Sequence, residues 1–212
     1  ELIVLGGTWS ALPERYQDHF IAECFRAANE YGWKRKERHR SLETLQRVNE
    51  GAKHRIIGIT IETRPDFVDL KEAKELRKLG VTRVELGVQS LDDDVLRQNL
   101  RGHDVKETIR ATQVLKDTGF KICYHLMVNL PGSDLKKDRL MFNRIFKDPG
   151  FQPEFLKIYP CVVVREAPLY RLWQKGKYRP YSDRQLISLL ARAKENIPPY
   201  CRVIRIYRDI PS

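Results

Sequence analysis

The sequence predicts an α/β fold of parallel strands joined by helical crossovers, and two observations carry that prediction. Short apolar runs rich in β-branched residues recur at 2–5, 56–61, 84–88, 122–128, 155–159 and 203–207, as buried strands require. Between several of them lie segments with apolar residues at helical spacing, closed by glycine. Alternating strand and helix places successive strands parallel, with right-handed crossovers. The alternation fits an open doubly wound sheet and a barrel equally; both gather ligand groups at the carboxyl ends of the strands.

The first strand runs directly into Gly6-Gly7-Thr8. Missing side chains there let a ligand approach the backbone closely, and a glycine pair also makes a tight turn. A helix over 13–31 carries Tyr16, Phe20, Cys24, Ala28 and Tyr31 on one face and stops at Gly32. The run Lys34-Arg35-Lys36-Glu37-Arg38-His39-Arg40 follows it. After the second strand comes Glu62-Thr63-Arg64-Pro65-Asp66. Pro65 keeps Arg64 extended, and Asp66 is placed to cap a helix over 67–79 that ends at Gly80. Glu62, at the ligand end of its strand, suits ribose hydroxyls or a ligand ammonium, or else pairs with Arg64 or Arg83.

The third strand ends in Gln89-Ser90, and Asp92, Asp93 and Asp94 open the next helix as cap and dipole partners. Arg101-Gly102-His103 closes that helix, and Asp104 with Glu107 forms a capping box for one ending at Gly119. In the fourth strand His125 and Met127 share a face before the Pro131-Gly132 turn. A histidine there contacts a ligand or is a satisfied core residue. The segment 175–181, rich in Pro, Gly, Tyr and basic residues, interrupts the alternation.

With 212 residues the chain suits one domain. The 39 Lys and Arg against 28 Asp and Glu give a net charge of +11, which favours polyanionic partners. No apolar run approaches the roughly 20 residues that span a bilayer, and no signal-peptide pattern opens the chain. The expectation is a soluble, intracellular and cytoplasmic protein without a membrane partner. Cys24, Cys123, Cys161 and Cys201 lie far apart and form no metal-binding spacing; they read as reduced thiols.

Taken in order, several fragments resemble the radical S-adenosylmethionine (SAM) superfamily, and within it the Elongator catalytic subunit family. They are Gly6-Gly7-Thr8-Trp9, the stretch 58–66 ending in Glu62-Thr63-Arg64-Pro65-Asp66, Glu85-Leu86-Gly87-Val88-Gln89-Ser90-Leu91 and Arg101-Gly102-His103. Lys157-Ile158-Tyr159-Pro160, Leu169-Tyr170 with Trp173 and Lys175-Gly176, and Arg208-Asp209-Ile210-Pro211 continue the match. The resemblance covers nearly the whole chain. It implies a partial (β/α)6 TIM-like barrel whose first, cluster-bearing strand is missing from this chain.

The resemblance also implies the cofactors and partners. SAM would be held by Gly6, Gly7, Thr8, Glu62, Gln89, Arg101 and His125; relatives carry an acidic residue where His125 stands. A [4Fe-4S] cluster would be held by cysteines outside this chain, so that the 212 residues alone would be inactive, and no catalytic residue is assigned. The implied activity is tRNA uridine-34 carboxymethylation, in which hydrogen is abstracted from the acetyl group of acetyl-CoA and the resulting carbon adds to C5. Acetyl-CoA would sit on an acetyltransferase-like domain outside this chain, and other Elongator subunits are implied partners. For tRNA phosphates the candidates are Lys34, Arg35, Lys36, Arg38, Arg40, Lys157, Lys175, Lys177 and Arg179. Tyr159, Tyr178 and Tyr181 either stack on unpaired bases or pack in the core. Two other readings remain: a radical SAM enzyme acting on a small molecule, and a non-catalytic tRNA-binding scaffold.

Overall fold

A computed structural model describes residues 1–32 and 41–207. Six strands, β1 (Leu2–Ile3), β2 (Ile59–Thr63), β3 (Val81–Gln89), β4 (Lys121–Val128), β5 (Phe155–Pro160) and β6 (Arg202–Arg205), form one sheet. Every neighbouring pair is parallel, and the spatial order β1-β2-β3-β4-β5-β6 repeats the chain order. A doubly wound sheet reverses its order at a switch point; this one never does.

The sheet is curled. Lys157 Nζ on β5 lies 3.9 Å from Glu62 Oε1 on β2, although three strand spacings, about 14 Å, would separate those strands in a flat sheet. The Arg83 guanidinium on β3 likewise sits 5.1 Å from the Phe155 ring centroid on β5. The architecture is therefore a partial barrel.

Alternation along the strands sorts side chains between its two faces. Outward residues Ile61, Val84, Leu86, Ile122, Leu126, Leu156 and Ile158 are fully buried under the helices, each contributing about 1.5–3 kcal/mol. The inward set is polar: Glu62, Glu85, His125 and Lys157 meet inside the curl.

The helices are α1 (Glu14–Glu30), α2 (Leu42–Glu50), α3 (Leu70–Lys78), α4 (Asp93–Gln98), α5 (Val105–Asp117), α6 (Leu135–Lys147), α7 (Pro168–Gln174) and α8 (Asp183–Glu195). The capping box of α5 forms as its sequence requires, and Asp92 caps α4. One expectation is corrected. Asp66 does not cap the following helix: a 3-10 turn occupies Pro65–Phe67 and Asp69 accepts from the Glu72 amide instead. Asp66 binds the Arg64 guanidinium. No helix among the described residues is long and apolar enough to cross a membrane.

Candidate active site

The carboxyl ends of β1, β2 and β3 form a rim onto which most of the expected ligand residues converge. Gly6 and Gly7 follow β1 with φ of +113° and +109°, a region that side chains disfavour, and no heavy atom beyond their chain neighbours lies within 4 Å of where a Cβ would stand. Thr8 then leads into the 3-10 turn Trp9–Ala11. Glu62, next to last in β2, accepts from the Gly6 amide at 3.4 Å.

Gln89 ends β3 in the left-handed region, with φ of +66° and only 8% of its surface exposed. Its side chain folds back over Gly87: a Cβ there would stand 3.1 Å from Gln89 Nε2, 3.7 Å from the Thr63 carbonyl oxygen and 4.0 Å from an Arg101 terminal nitrogen. Gly87 thus leaves the space in which an amide and a guanidinium come together above the sheet.

Arg101 reaches the rim from the end of α4. Its Nε is buried and has no hydrogen-bond partner among the described residues. Burial lowers its pKa, and the nearby Arg64 charge acts in the same direction. Arg64 is neutralised by Asp66, whereas Arg101 has no such partner. A half-buried cation whose buried Nε is left in this state asks for an anionic or acceptor group from elsewhere.

Below the rim lies a charged centre that the sequence reading did not identify. Glu85 is 1% exposed, and one of its oxygens receives both the Lys157 ammonium and His125 Nε2, the latter at 2.6 Å. Its other oxygen is unpartnered, with Arg83 Nε 3.9 Å away. Burial pushes the Glu85 pKa up, but the hydrogen bonds from His125 and Lys157 outweigh it and hold the carboxyl below its ordinary range. His125 therefore stands one layer beneath Gln89 with its imidazole fixed by Glu85 and edge-on to Tyr159 at 5.7 Å. A period-two pattern was the available signal: Arg83-Glu85-Gly87 and Phe155-Lys157-Tyr159 interrupt strands whose alternate residues are apolar.

Lys157, offered by the sequence as a phosphate contact, is 5% exposed and committed to Glu85 and Glu62. Lys175, Lys177 and Arg179 are exposed between α7 and α8. Lys34, Arg35, Lys36, Arg38 and Arg40 lie outside the described residues. Of the tyrosines, Tyr178 is buried and donates to the Asn129 carbonyl, and Tyr181 donates to Asp138, so both serve the packing alternative.

The residue set fits SAM: unobstructed backbone at Gly6 and Gly7, the Glu62 carboxylate, the Gln89 amide and Arg101, whose Nε has no partner among the described residues, match an ammonium, ribose hydroxyls and a carboxylate. It does not fit an iron-sulfur cluster. Among the described residues the one group of potential metal ligands is Glu85, Cys123 and His125, with a single cysteine whose pKa burial drives upward and with the Lys157 ammonium on the same carboxylate.

Comparison with known proteins agrees with this geometry. Residues 1–142 match the Radical SAM superfamily and residues 153–212 the Radical SAM C-terminal domain. Over all 212 residues the chain is 47% identical to a protein named tRNA uridine(34) acetyltransferase from Methanocaldococcus infernus, covering 39% of its length. It is 40% identical over 211 residues to Homo sapiens Elongator complex protein 3, covering 38% of that protein. The chain thus spans well under half the length of these relatives. Among solved structures, M. infernus Elp3 with an N-terminal deletion superposes with a TM-score of 0.91 at 47% identity, covering 99% of this chain and 48% of that one. Escherichia coli coproporphyrinogen III oxidase, at 15% identity and a TM-score of 0.55 over 92% of this chain and 50% of that one, shares the fold. The sequential parallel barrel and the match over residues 1–142 establish that this chain belongs to the radical SAM superfamily.

Proposed function

We propose that this chain is the SAM-binding barrel of an Elongator-type enzyme that modifies C5 of the wobble uridine, position 34, of tRNA. The observation that carries the reading is the 47% identity over the entire chain to a relative named for that activity. The rim agrees with it, because its donors suit SAM.

The chemistry that SAM supplies when bound beside a reduced iron-sulfur cluster is abstraction of a hydrogen atom from a substrate carbon. This chain's residues bind and orient. Gly6 and Gly7 offer close backbone approach, Glu62 accepts from an ammonium or ribose hydroxyls, and Gln89 presents an amide. Arg101 supplies the cation for a carboxylate. Beneath them the charged centre of Glu85, Lys157 and His125 fixes the barrel interior. Acetyl-CoA as co-substrate on a further domain, other Elongator subunits as partners and a cytoplasmic place of work complete the reading.

The test uses the full-length protein that contains this chain, incubated anaerobically with a tRNA transcript, SAM, acetyl-CoA and a reductant. Nucleoside mass spectrometry should find a carboxymethyl-type adduct on uridine 34 alone. Cleavage of SAM with the tRNA unchanged would replace the reading with a small-molecule radical SAM enzyme.

A further inference from the structure

Past the carboxyl ends of β4 and β5, further along the rim from Glu62 and Gln89, lies a cleft of about 570 Å³ lined by Asn129, Arg165, Tyr170, Trp173 and Tyr207 among others. Two features distinguish it from a packing gap. Its aromatic side chains are presented to solvent: Trp173 is 45% and Tyr207 57% exposed, and the Tyr170 and Trp173 rings pair at 5.4 Å. Its floor residue, Asn129, is held in an uncommon conformation by a dedicated set of bonds.

Asn129 has φ of +61°, which asparagine tolerates better than most residues but does not adopt without cause. Its amide donates to Asp138 Oδ2 at 2.8 Å, and its carbonyl accepts from the Tyr178 hydroxyl at 2.8 Å. Asp138 is itself 2% exposed and held by Ser133 and Tyr181. Two buried groups, Asp138 of α6 and Tyr178 of the connection after α7, thus fix the backbone of one residue. Asn129, 5% exposed, lines the cleft, and no hydrogen bond ties its carboxamide to another described residue. It presents one acceptor and two donors.

The surroundings set the class of ligand. Arg165 lines the cleft, and the exposed Lys175, Lys177 and Arg179 follow Trp173 within six residues of chain. Exposed aromatic faces beside a basic segment suit single-stranded nucleic acid, whose bases stack while its phosphates meet cations. A carboxamide carried on a fixed backbone supplies the polar group for the edge of a base, and the volume lies in the range of small-ligand sites.

We propose that this cleft receives one unpaired nucleobase of the tRNA, stacked on Trp173 or Tyr170 with its edge on the Asn129 carboxamide, and that Lys175, Lys177 and Arg179 hold the adjoining phosphates. The proposal rests on the tRNA reading above and moves the base-stacking role from Tyr178 and Tyr181 to Trp173 and Tyr170.

The probe is an anticodon stem-loop RNA, compared with the same stem-loop carrying an abasic residue at the wobble position, each titrated against the full-length protein. The intact loop should bind more tightly by roughly five- to a hundred-fold, the range of one base–aromatic stack. Trp173→Ala should abolish that preference without changing the salt slope, and Trp173→Phe should keep most of it. Replacing Lys175, Lys177 and Arg179 should lower the slope by about 0.7 for each phosphate no longer neutralised and leave the preference in place. Equal binding of intact and abasic loops, or a preference that survives Trp173→Ala, overturns the cleft while leaving the tRNA reading standing. Failure of the unaltered protein to bind either RNA overturns both.

Discussion

The Gly6 amide and the Glu62 carboxylate, 56 residues apart in sequence, meet at 3.4 Å across the rim of the barrel. The bond ties the end of β1 to the end of β2 and leaves one Glu62 oxygen facing Lys157 from 3.9 Å. Exchange for an amide keeps the shape and removes the charge. Glu62→Gln in the full-length enzyme should weaken SAM binding by roughly tenfold, the lower part of the range for a hydrogen bond to a charged group. Equilibrium dialysis with labelled SAM measures it. Unaltered affinity would remove Glu62 from the ligand site.

Glu85 and Lys157 form an ion pair inside the barrel, with exposures of 1% and 5%. Removing one partner of such a pair strands the other charge away from water. Lys157→Met should therefore cost about 3–5 kcal/mol in chemical unfolding. Glu85→Leu combined with Lys157→Met should recover most of that loss, since a matched apolar pair leaves no buried charge behind. If the double variant proves as unstable as the sum of the single ones, the pair is not the source of the penalty.

The same carboxylate predicts a pH dependence. Burial raises the Glu85 pKa, but His125 and Lys157 outweigh it, and the folded-state value lies below the ordinary glutamate value of 4.5. For an acid depressed on folding, the stabilisation is in place above the unfolded-state pKa and is lost as pH falls through the folded-state one. The difference in urea midpoint between the unaltered protein and Glu85→Gln should hold steady from neutrality to about pH 5 and shrink below 4.5. Other carboxylates titrate alike in both proteins and cancel. A difference that stays constant down to pH 3 would contradict it.

Much of this was legible in the chain, because strand, stop and cap signals are local. Gly32, Gly80 and Gly119 mark turns at φ of +82°, +85° and +81°, and Asp104 with Glu107 forms the box their spacing describes. Strand limits were less legible: the run at 56–61 corresponds to a strand at Ile59–Thr63, so that Glu62 lies within the pairing rather than beyond it. Short apolar runs do not say where hydrogen bonding begins. The burial of Lys157 was not legible, because a lysine is ordinarily a surface residue; only the curl of the sheet, a long-range property, brings Glu85 and Glu62 to it. The Asn129 cleft was not legible for a like reason, since Asp138 from α6 and Tyr178 and Tyr181 from the connection after α7 converge there.

Arg101 joins stability to function with opposite signs. Its Nε is buried without a partner, burial and the Arg64 charge both disfavour its protonated form, and Asp66 is already engaged by Arg64. In the absence of ligand this guanidinium costs desolvation that no carboxylate offsets, so Arg101→Met should leave the ligand-free protein as stable as before or about 1 kcal/mol more so. In the presence of SAM the order reverses. A guanidinium on a ligand carboxylate contributes about 1.5–3 kcal/mol, and its loss should weaken binding by roughly ten- to a hundred-fold. Thermal unfolding of the full-length enzyme reads both effects, because a ligand that binds the native state stabilises it by RT ln(1 + L/Kd), L being the free ligand concentration, and so raises the midpoint. The unaltered protein should show a clear rise with SAM; Arg101→Met should start at an equal or higher midpoint and rise much less. A ligand-free variant destabilised by more than about 2 kcal/mol would mean that Arg101 holds the fold through its buried stem, and its unpartnered nitrogen would then no longer argue for a ligand.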